Sequence, residues 1–116
     1  MATKTERPNP IKLTDPDSGD TYTLDFSRET VKYAELRGFY ITAVQNHPET
    51  GLADLFFYAF RKNHKNVARD KTDNLLQDLG GLLPAEVNRL TDLYTASISS
   101  LNLDGERKNS RLKVEL

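Results

Sequence analysis

One segment, residues 52–64, restricts the fold more than any other: it reads LADLFFYAFRKNH, an aromatic helix with a basic end. Its apolar residues recur at helical spacing and form one stripe: Leu52, Leu55, Phe56, Ala59 and Phe60. Phe57 and Tyr58 flank that stripe, one on each side. A helix that is apolar around so much of its circumference lies either at the centre of a small domain or at a partner-binding surface.

The length and composition indicate one small domain. With 116 residues the chain can bury one modest core. The formal net charge of −1 gives no overall attraction to nucleic acid or to an anionic membrane. The absence of cysteine excludes disulfides and Cys-ligated zinc. The chain has no apolar run long enough to cross a bilayer and no signal-peptide pattern at its start, so we expect a cytoplasmic protein without a membrane partner.

The N-terminal part predicts an arm followed by a β-hairpin. Residues 1–10 are polar and contain two prolines, which indicates a flexible arm. Apolar and polar residues then alternate on both sides of the turn-forming sequence DPDSGD at 15–20. An isolated hairpin is marginally stable, so the face with Tyr22, Leu24 and Phe26 should pack on helices.

The first half of the helical region shows clear start and stop signals. Ser27 is a good N-cap for a first helix over residues 28–37, and Gly38 is its expected left-handed end. Residues 40–50 should be irregular apart from one helical turn, with a break at His47-Pro48. We expect Thr50 to cap the aromatic helix.

Two more helices and a tail complete the chain. A third helix begins near Arg69 and ends at Gly80-Gly81, and Pro84 opens a fourth that continues to about Asn102. The ending RLKVEL alternates like a strand, with Leu112, Val114 and Leu116 as its apolar members. We therefore predict an α+β fold: an N-terminal β-hairpin packed on a bundle of about four α-helices over residues 11–102, and a flexible or strand-adding C-terminal tail over 103–116.

Residues with catalytic or metal-binding chemistry are few and lack the required spacing. His47 and His64 are far apart, and no HExxH motif is present. Asp70 and Asp73 lie in the first turn of a helix, where the dipole alone favours carboxylates. The acidic turn at 15–20 lacks the glycine and the bidentate glutamate of a calcium loop. The chain also lacks GxSxG and a phosphate-binding glycine loop, so we predict no metal, no cofactor and no enzymatic activity.

A basic cluster follows the aromatic helix: Arg61, Lys62, His64, Lys65, Arg69 and Lys71. A nucleic-acid patch looks like this locally, but a helix dipole also favours cations at its C-terminal end. The rest of the surface is acidic enough to cancel this charge. We favour the structural interpretation and keep a small nucleic-acid-binding regulatory protein as the alternative, which predicts salt-sensitive binding of DNA.

Phe57 and Tyr58 allow two interpretations. The hairpin and the first helix could cover both side chains, because a small domain needs its aromatic residues in the core. Alternatively, they form an exposed edge that serves self-association or a client protein.

Several segments together resemble a known family. In chain order they are LDFSRE, RGF, the block from YAFRKNH to LGG, the helix LPAEVNRLTDLY and the ending KVEL. From about Ile11 to Leu116 the chain resembles the small tail-assembly chaperone-type proteins of long-tailed phages and prophages of Gram-positive bacteria. The shared pattern consists of core and capping residues and contains no catalytic signature.

The resemblance implies a protein of the host cytoplasm, made during virion assembly and absent from the finished particle. Such chaperones bind the tape-measure protein and recruit tail-tube subunits, and this chain could also self-associate. The candidate partner-binding residues are Phe57, Tyr58, Leu112, Val114 and Leu116. A further alternative is a structural tail or connector subunit, which would persist in purified particles.

Overall fold

The N-terminal hairpin forms as the alternating pattern predicts. The computed structural model describes residues 7–99 and 111–116. Strands β1, Ile11–Thr14, and β2, Thr21–Leu24, pair antiparallel with Ile11 opposite Leu24. The turn is closed by two backbone hydrogen bonds, from the Asp15 N–H to the Asp20 carbonyl and from the Gly19 N–H to the Asp15 carbonyl. Gly19 has a φ of 81°, a conformation that glycine adopts without steric cost.

Within the described residues, five helices follow the hairpin, so the predicted α+β class is confirmed. They are α1, Arg28–Leu36; α2, Ala43–Asn46; α3, Pro48–Ala59; α4, Arg69–Leu79; and α5, Pro84–Ile98. The single helical turn expected between residues 40 and 50 is α2. None of the helices in the described part of the chain is long and apolar enough to cross a membrane.

Both ends of α1 carry the predicted caps. The Ser27 hydroxyl accepts a hydrogen bond from the Thr30 N–H, and the Thr30 hydroxyl accepts one from the Ser27 N–H. At the other end Gly38 has a φ of 95°. The N–H of Gly38 donates to the Glu35 carbonyl, and the N–H of Phe39 donates to the Ala34 carbonyl. This is a Schellman ending, and the burial of Phe39 supplies its usual apolar contact.

The limits predicted for the aromatic helix were wrong at both ends. Helix α3 begins at Pro48, because proline at the first helical position has a suitable φ and lacks only an N–H that would be unpaired there. Thr50 therefore lies inside the first turn. The helix ends at Ala59, after which Phe60 and Arg61 donate to carbonyls three residues back and tighten the chain into a turn. The basic end of the segment is thus a turn rather than helix.

The core lies between the hairpin, α3 and α5. Its main side chains are Tyr22, Leu24, Phe26, Leu55, Phe56, Ala59, Phe60, Leu90, Leu93 and Tyr94. The rings of Phe26 and Tyr94 meet edge to face with centroids 5.3 Å apart, and those of Phe56 and Phe60 at 5.1 Å. Phe56 and Phe60 are 2% and 1% exposed, and Leu55 and Ala59 are buried with them, so four of the five residues of the predicted stripe are core. Leu52, the fifth, is only partly buried.

The ends of the domain differ in part from the predicted arm and tail. Within the predicted arm, Arg7 bonds to Asp25, and the carbonyl of Asn9 accepts a hydrogen bond from Arg89. Residues 7–10 therefore belong with the domain, whereas residues 1–6 lie outside the described residues. Of the predicted tail, residues 103–110 also lie outside them. Residues 111–116 are all exposed and are in neither a helix nor a strand.

Candidate interaction surfaces

Two cations of the basic cluster hold the turn after α3 against the domain. The Lys62 ammonium is 2.8 Å from a carboxylate oxygen of Asp25. The Arg61 guanidinium lies over the ring of Tyr33, 3.7 Å from its centroid. Both contacts join residues far apart in sequence, so these two side chains stabilise the fold.

A third cation of the cluster bridges two helices. The Arg69 guanidinium contacts Asp54 of α3 at 3.0 Å and Asp73 of α4 at 2.9 Å. Asp73 therefore forms an ion pair with Arg69, four residues earlier in the same helix. Lys65 and Lys71 are exposed. Within the cluster, the positive charge presented to solvent is smaller than the sequence indicates.

Asp25 is the buried centre of this charged network. It is 3% exposed, and its carboxylate also accepts hydrogen bonds from Arg7, at 3.0 Å, and from the backbone N–H of Phe26, at 2.8 Å. Burial by itself raises the pKa of Asp25, but the hydrogen bonds from Arg7, Lys62 and Phe26 outweigh it and hold that pKa below its usual value. The network fastens the segment before β1 and the turn after α3 to the end of the hairpin.

Tyr94 makes a partly buried polar contact between two distant elements. Its hydroxyl donates to the Glu35 carboxylate over 2.9 Å, which joins α5 to α1. Burial, then this bond to Glu35, raises the pKa of Tyr94 far above its usual value. Among the described residues, every buried side-chain nitrogen and oxygen has a hydrogen-bond partner, and no group of three or more metal-binding side chains comes together. These polar groups serve the packing of the domain.

The structure separates Phe57 from Tyr58. Tyr58 is buried, and its ring packs on those of Tyr33 and Phe39 at centroid distances of 6.2 and 5.6 Å. Phe57 is half-buried, with the Arg69 guanidinium 5.3 Å from its ring centroid. Tyr58 is therefore covered by the domain and is unavailable as a contact residue, which corrects its place among the candidate sites. The rings packed on it come from α1, through Tyr33, and from Phe39.

An uncharged groove runs between α2 and α5, and we call it the α2–α5 groove. It encloses about 350 Å³ and is lined by Ile41, Thr42, Val44, Gln45, Val87, Asn88, Thr91 and Thr95. Tyr40, which directly precedes this lining, is 57% exposed, and Leu36 at the end of α1 is 76% exposed. No pattern in the sequence indicates this surface, because its two walls come from segments about 45 residues apart.

The two edges of the hairpin differ. On the outer side of β2, the Thr23 N–H donates to His64 Nε2 at 2.9 Å, and the Asn63 side chain donates to the Thr23 carbonyl at 3.1 Å. On the outer side of β1, no group in the described part of the chain hydrogen-bonds to Lys12 or Thr14 from outside the hairpin. We call this unpaired side the β1 edge, since it offers a template for another strand.

A notch of about 420 Å³ lies beside the β1 edge, and we call it the β1 notch. Its lining is apolar at the base and acidic at the rim: Leu13, Leu75 and Leu79, with Asp15, Asp17 and Asp78. Leu79 is 47% exposed. The three candidate partner-binding residues of the tail are also exposed: Leu112 at 81%, Val114 at 63% and Leu116 fully. Beside a strand edge that no described group outside the hairpin bonds to, the structure thus places a notch with an apolar base.

Comparison with known proteins identifies the family. The chain belongs to the family described as domain of unknown function DUF5055, which it matches over residues 1–116. Neither a search of curated proteins nor a search of solved structures found a match.

Proposed function

We propose that this member of the DUF5055 family is a non-enzymatic tail-assembly chaperone that binds a tape-measure protein, tail-tube subunits or both while a phage particle is built. The observation that carries the proposal is the uncharged α2–α5 groove beside exposed Tyr40. Ile41, Val44 and Val87 are the apolar part of its lining, against which the apolar face of a partner helix can pack. The chaperone works in the host cytoplasm and leaves before the particle is complete.

The size of the groove suits a helical client. Its α5 wall extends from Val87 to Thr95, which corresponds to about 12 Å or two helical turns. Ile41 and Val44 provide apolar contact on the α2 side, while the threonine and asparagine side chains can bond to polar groups at the edge of the client. A tape-measure protein is long and helix-rich, so it would present many such faces.

The resemblance noted in the sequence supports the same function. Its most specific block, from YAFRKNH to LGG, forms the end of α3, the turn fastened to Asp25, and α4 with its glycine end. These residues maintain the domain, and the client-binding residues are therefore sought on its surface. Phe57 is half-buried and remains a candidate partner-binding residue. The tail residues Leu112, Val114 and Leu116 also remain candidate partner-binding residues.

The test is co-expression with the tape-measure protein of the phage that encodes this chain. We expect the client to stay soluble and to co-purify. Asn88→Glu places a charge in the groove at an exposed helical position and should weaken co-purification about tenfold, the effect of roughly 1.4 kcal/mol. Asn74→Glu, an identical change at an exposed position of α4, is the matched control and should have no effect.

Two results would decide against this function. If the client aggregates equally with and without the chain, and tail-tube subunits form no complex with it either, the chaperone proposal is rejected. Recovery of the chain from purified particles would instead support a structural tail or connector subunit. Tight DNA binding that weakens steeply with salt would support the regulatory alternative through exposed Lys65 and Lys71.

A further inference from the structure

We infer that a hollow between α1 and the turn after α3 binds a doubly charged phosphate group. The hollow encloses about 470 Å³, and we call it the basic pocket. Its polar lining comes from the start of α1 and from the turn: Ser27, Glu29, Thr30, Arg61, Lys62 and Lys65. The basic pocket shares no lining residue with the α2–α5 groove, so the inference goes beyond client binding.

Arg61 is fixed in place while its hydrogen-bond donors are unused. Its guanidinium lies 3.7 Å from the ring centroid of Tyr33, and the Arg37 guanidinium lies 3.9 Å from the same centroid. Two guanidiniums cannot occupy one face of a ring at these distances, so they stack on opposite faces. Stacking uses the flat face of Arg61 and leaves the N–H donors at its edge available. Among the described residues, Arg61 forms no ion pair and no side-chain hydrogen bond.

Two ammonium groups add their charge to that of Arg61. Lys65 is exposed and has no carboxylate partner within the described part of the chain. Lys62 is bound to Asp25 at 2.8 Å, but an ammonium has three donors and this contact uses one of them. Asp25 does not neutralise Lys62 alone, because Arg7 shares the same carboxylate. Three cations therefore face the basic pocket.

The backbone that carries these cations is held by contacts with the hairpin. His64 accepts a hydrogen bond from the Thr23 N–H at 2.9 Å, and the Asn63 side chain donates to the Thr23 carbonyl at 3.1 Å. The backbone N–H of His64 also donates to the Phe60 carbonyl at 2.7 Å. The turn is therefore positioned before an anion arrives, which lowers the entropic cost of binding.

The charge and the donors of the basic pocket match a phosphate group. Glu29 is the one carboxylate among the described residues that line it, so its cations are in excess. A phosphate monoester carries about 1.5–2 negative charges at neutral pH and offers three acceptor oxygens, one for each cation. A carboxylate has a single charge and two oxygens, so it would leave one cation unmatched.

A single phosphate group fits this surface better than a nucleic-acid backbone does. Nucleic acid binds along a track of cations that neutralise successive phosphates. In the basic cluster, Arg69 lies between Lys65 and Lys71 in sequence and is already held by Asp54 and Asp73. These two carboxylates interrupt the cluster as a track.

A titration of the full-length, isotope-labelled chain with inorganic phosphate tests the site. Backbone amide signals are followed by NMR slightly above neutral pH, with sodium chloride used to keep the ionic strength constant. We expect saturable shifts at residues 27–30 and 61–65, with a Kd on the order of 1 mM. Acetate, the carboxylate comparator, should bind at least about tenfold more weakly.

Three variants at exposed positions separate a built site from a generally basic surface. Lys65→Gln removes a cation of the lining and should raise the Kd for phosphate about tenfold. Glu29→Gln removes the carboxylate of the lining and should lower that Kd about threefold. Lys71→Gln, the matched control from the same basic cluster, lies outside the lining and should leave the Kd unchanged.

The inference is overturned if phosphate produces only shifts that grow without saturation. It is also overturned if Lys65→Gln and Lys71→Gln weaken binding equally, or if Glu29→Gln does not strengthen it, since both results indicate general attraction to a basic surface. Acetate binding as tight as that of phosphate would identify an acidic peptide as the ligand instead. Tighter binding of a short DNA duplex at the same residues would identify a nucleic-acid backbone. None of these results bears on client binding at the α2–α5 groove, so the two proposals fail separately.

Discussion

At the scale of single residues, Asp25 shows how a buried charge is tolerated. Its carboxylate is out of solvent but accepts hydrogen bonds from two cations and one backbone N–H. The pKa of Asp25 is therefore lower in the folded chain than its ordinary value of 3.8. Because the folded pKa is the lower one, this group stabilises the fold above the unfolded-state pKa, and the contribution is lost as the pH falls through the folded-state pKa.

We expect Asp25→Asn to lower the free energy of unfolding by about 2 kcal/mol at neutral pH, because it leaves Arg7 and Lys62 without their carboxylate. The same variant should lose less stability than the unchanged chain between about pH 5 and about pH 3, since it has no carboxylate to protonate. Urea denaturation at both pH values measures this. Parallel losses in the two proteins would show that Asp25 does not titrate as described.

Glycine is required at position 51 by packing and not by its backbone conformation. It is buried in α3, and an added Cβ would collide with the backbone carbonyl of Ala43 in α2. At an open helical position, replacing glycine by alanine stabilises a helix by up to about 1 kcal/mol. Here we expect Gly51→Ala to destabilise the domain by about 1–3 kcal/mol, as overpacking does. Thermal denaturation gives the sign directly, and a rise in Tm would contradict the close approach of α2 to α3.

At the scale of elements, α3 and the turn that follows it distribute three phenylalanines between core and margin. Phe56 and Phe60 are buried in contact with each other, whereas Phe57 is half-buried. Replacing Phe56 or Phe60 by alanine should cost about 3–5 kcal/mol, a large fraction of the stability of a domain of this size. Phe57→Ala, the matched control from the same helix, should cost about 1 kcal/mol. Urea unfolding of the three variants compares them, and equal losses would mean that the helix faces are assigned incorrectly.

At the scale of the whole molecule, residues 111–116 are exposed and lie outside the apolar core. Val114 is 63% exposed and Leu116 fully exposed. Deleting residues 103–116 should therefore leave Tm nearly unchanged in dilute solution, where association by mass action contributes least. Differential scanning calorimetry measures it. A large drop would mean that Leu112, Val114 and Leu116 complete the core or the sheet after all.

Local signals in the sequence determined the elements of this protein. Ser27 and Gly38 set the ends of α1, Gly80 ends α4 and Pro84 begins α5, each through the backbone conformation or hydrogen bond that the residue itself supplies. Alternation predicted the hairpin, and helical spacing predicted that Phe56 and Phe60 are core, because both patterns follow from the geometry of one element. The start of α3 was misplaced because Thr50 and Pro48 offer competing start signals two residues apart.

Only the tertiary structure decided what the remaining side chains do. Three contacts between residues distant in sequence show this. Tyr58 packs on Phe39, Lys62 pairs with Asp25, and His64 accepts a hydrogen bond from the outer edge of β2. The candidate surfaces depend on the same kind of contact: the α2–α5 groove needs two helices side by side, and the outer side of β2 is occupied because His64 and Asn63 bond to Thr23. A sequence pattern reports which face of an element is apolar, but the arrangement of all the elements determines whether that face is covered.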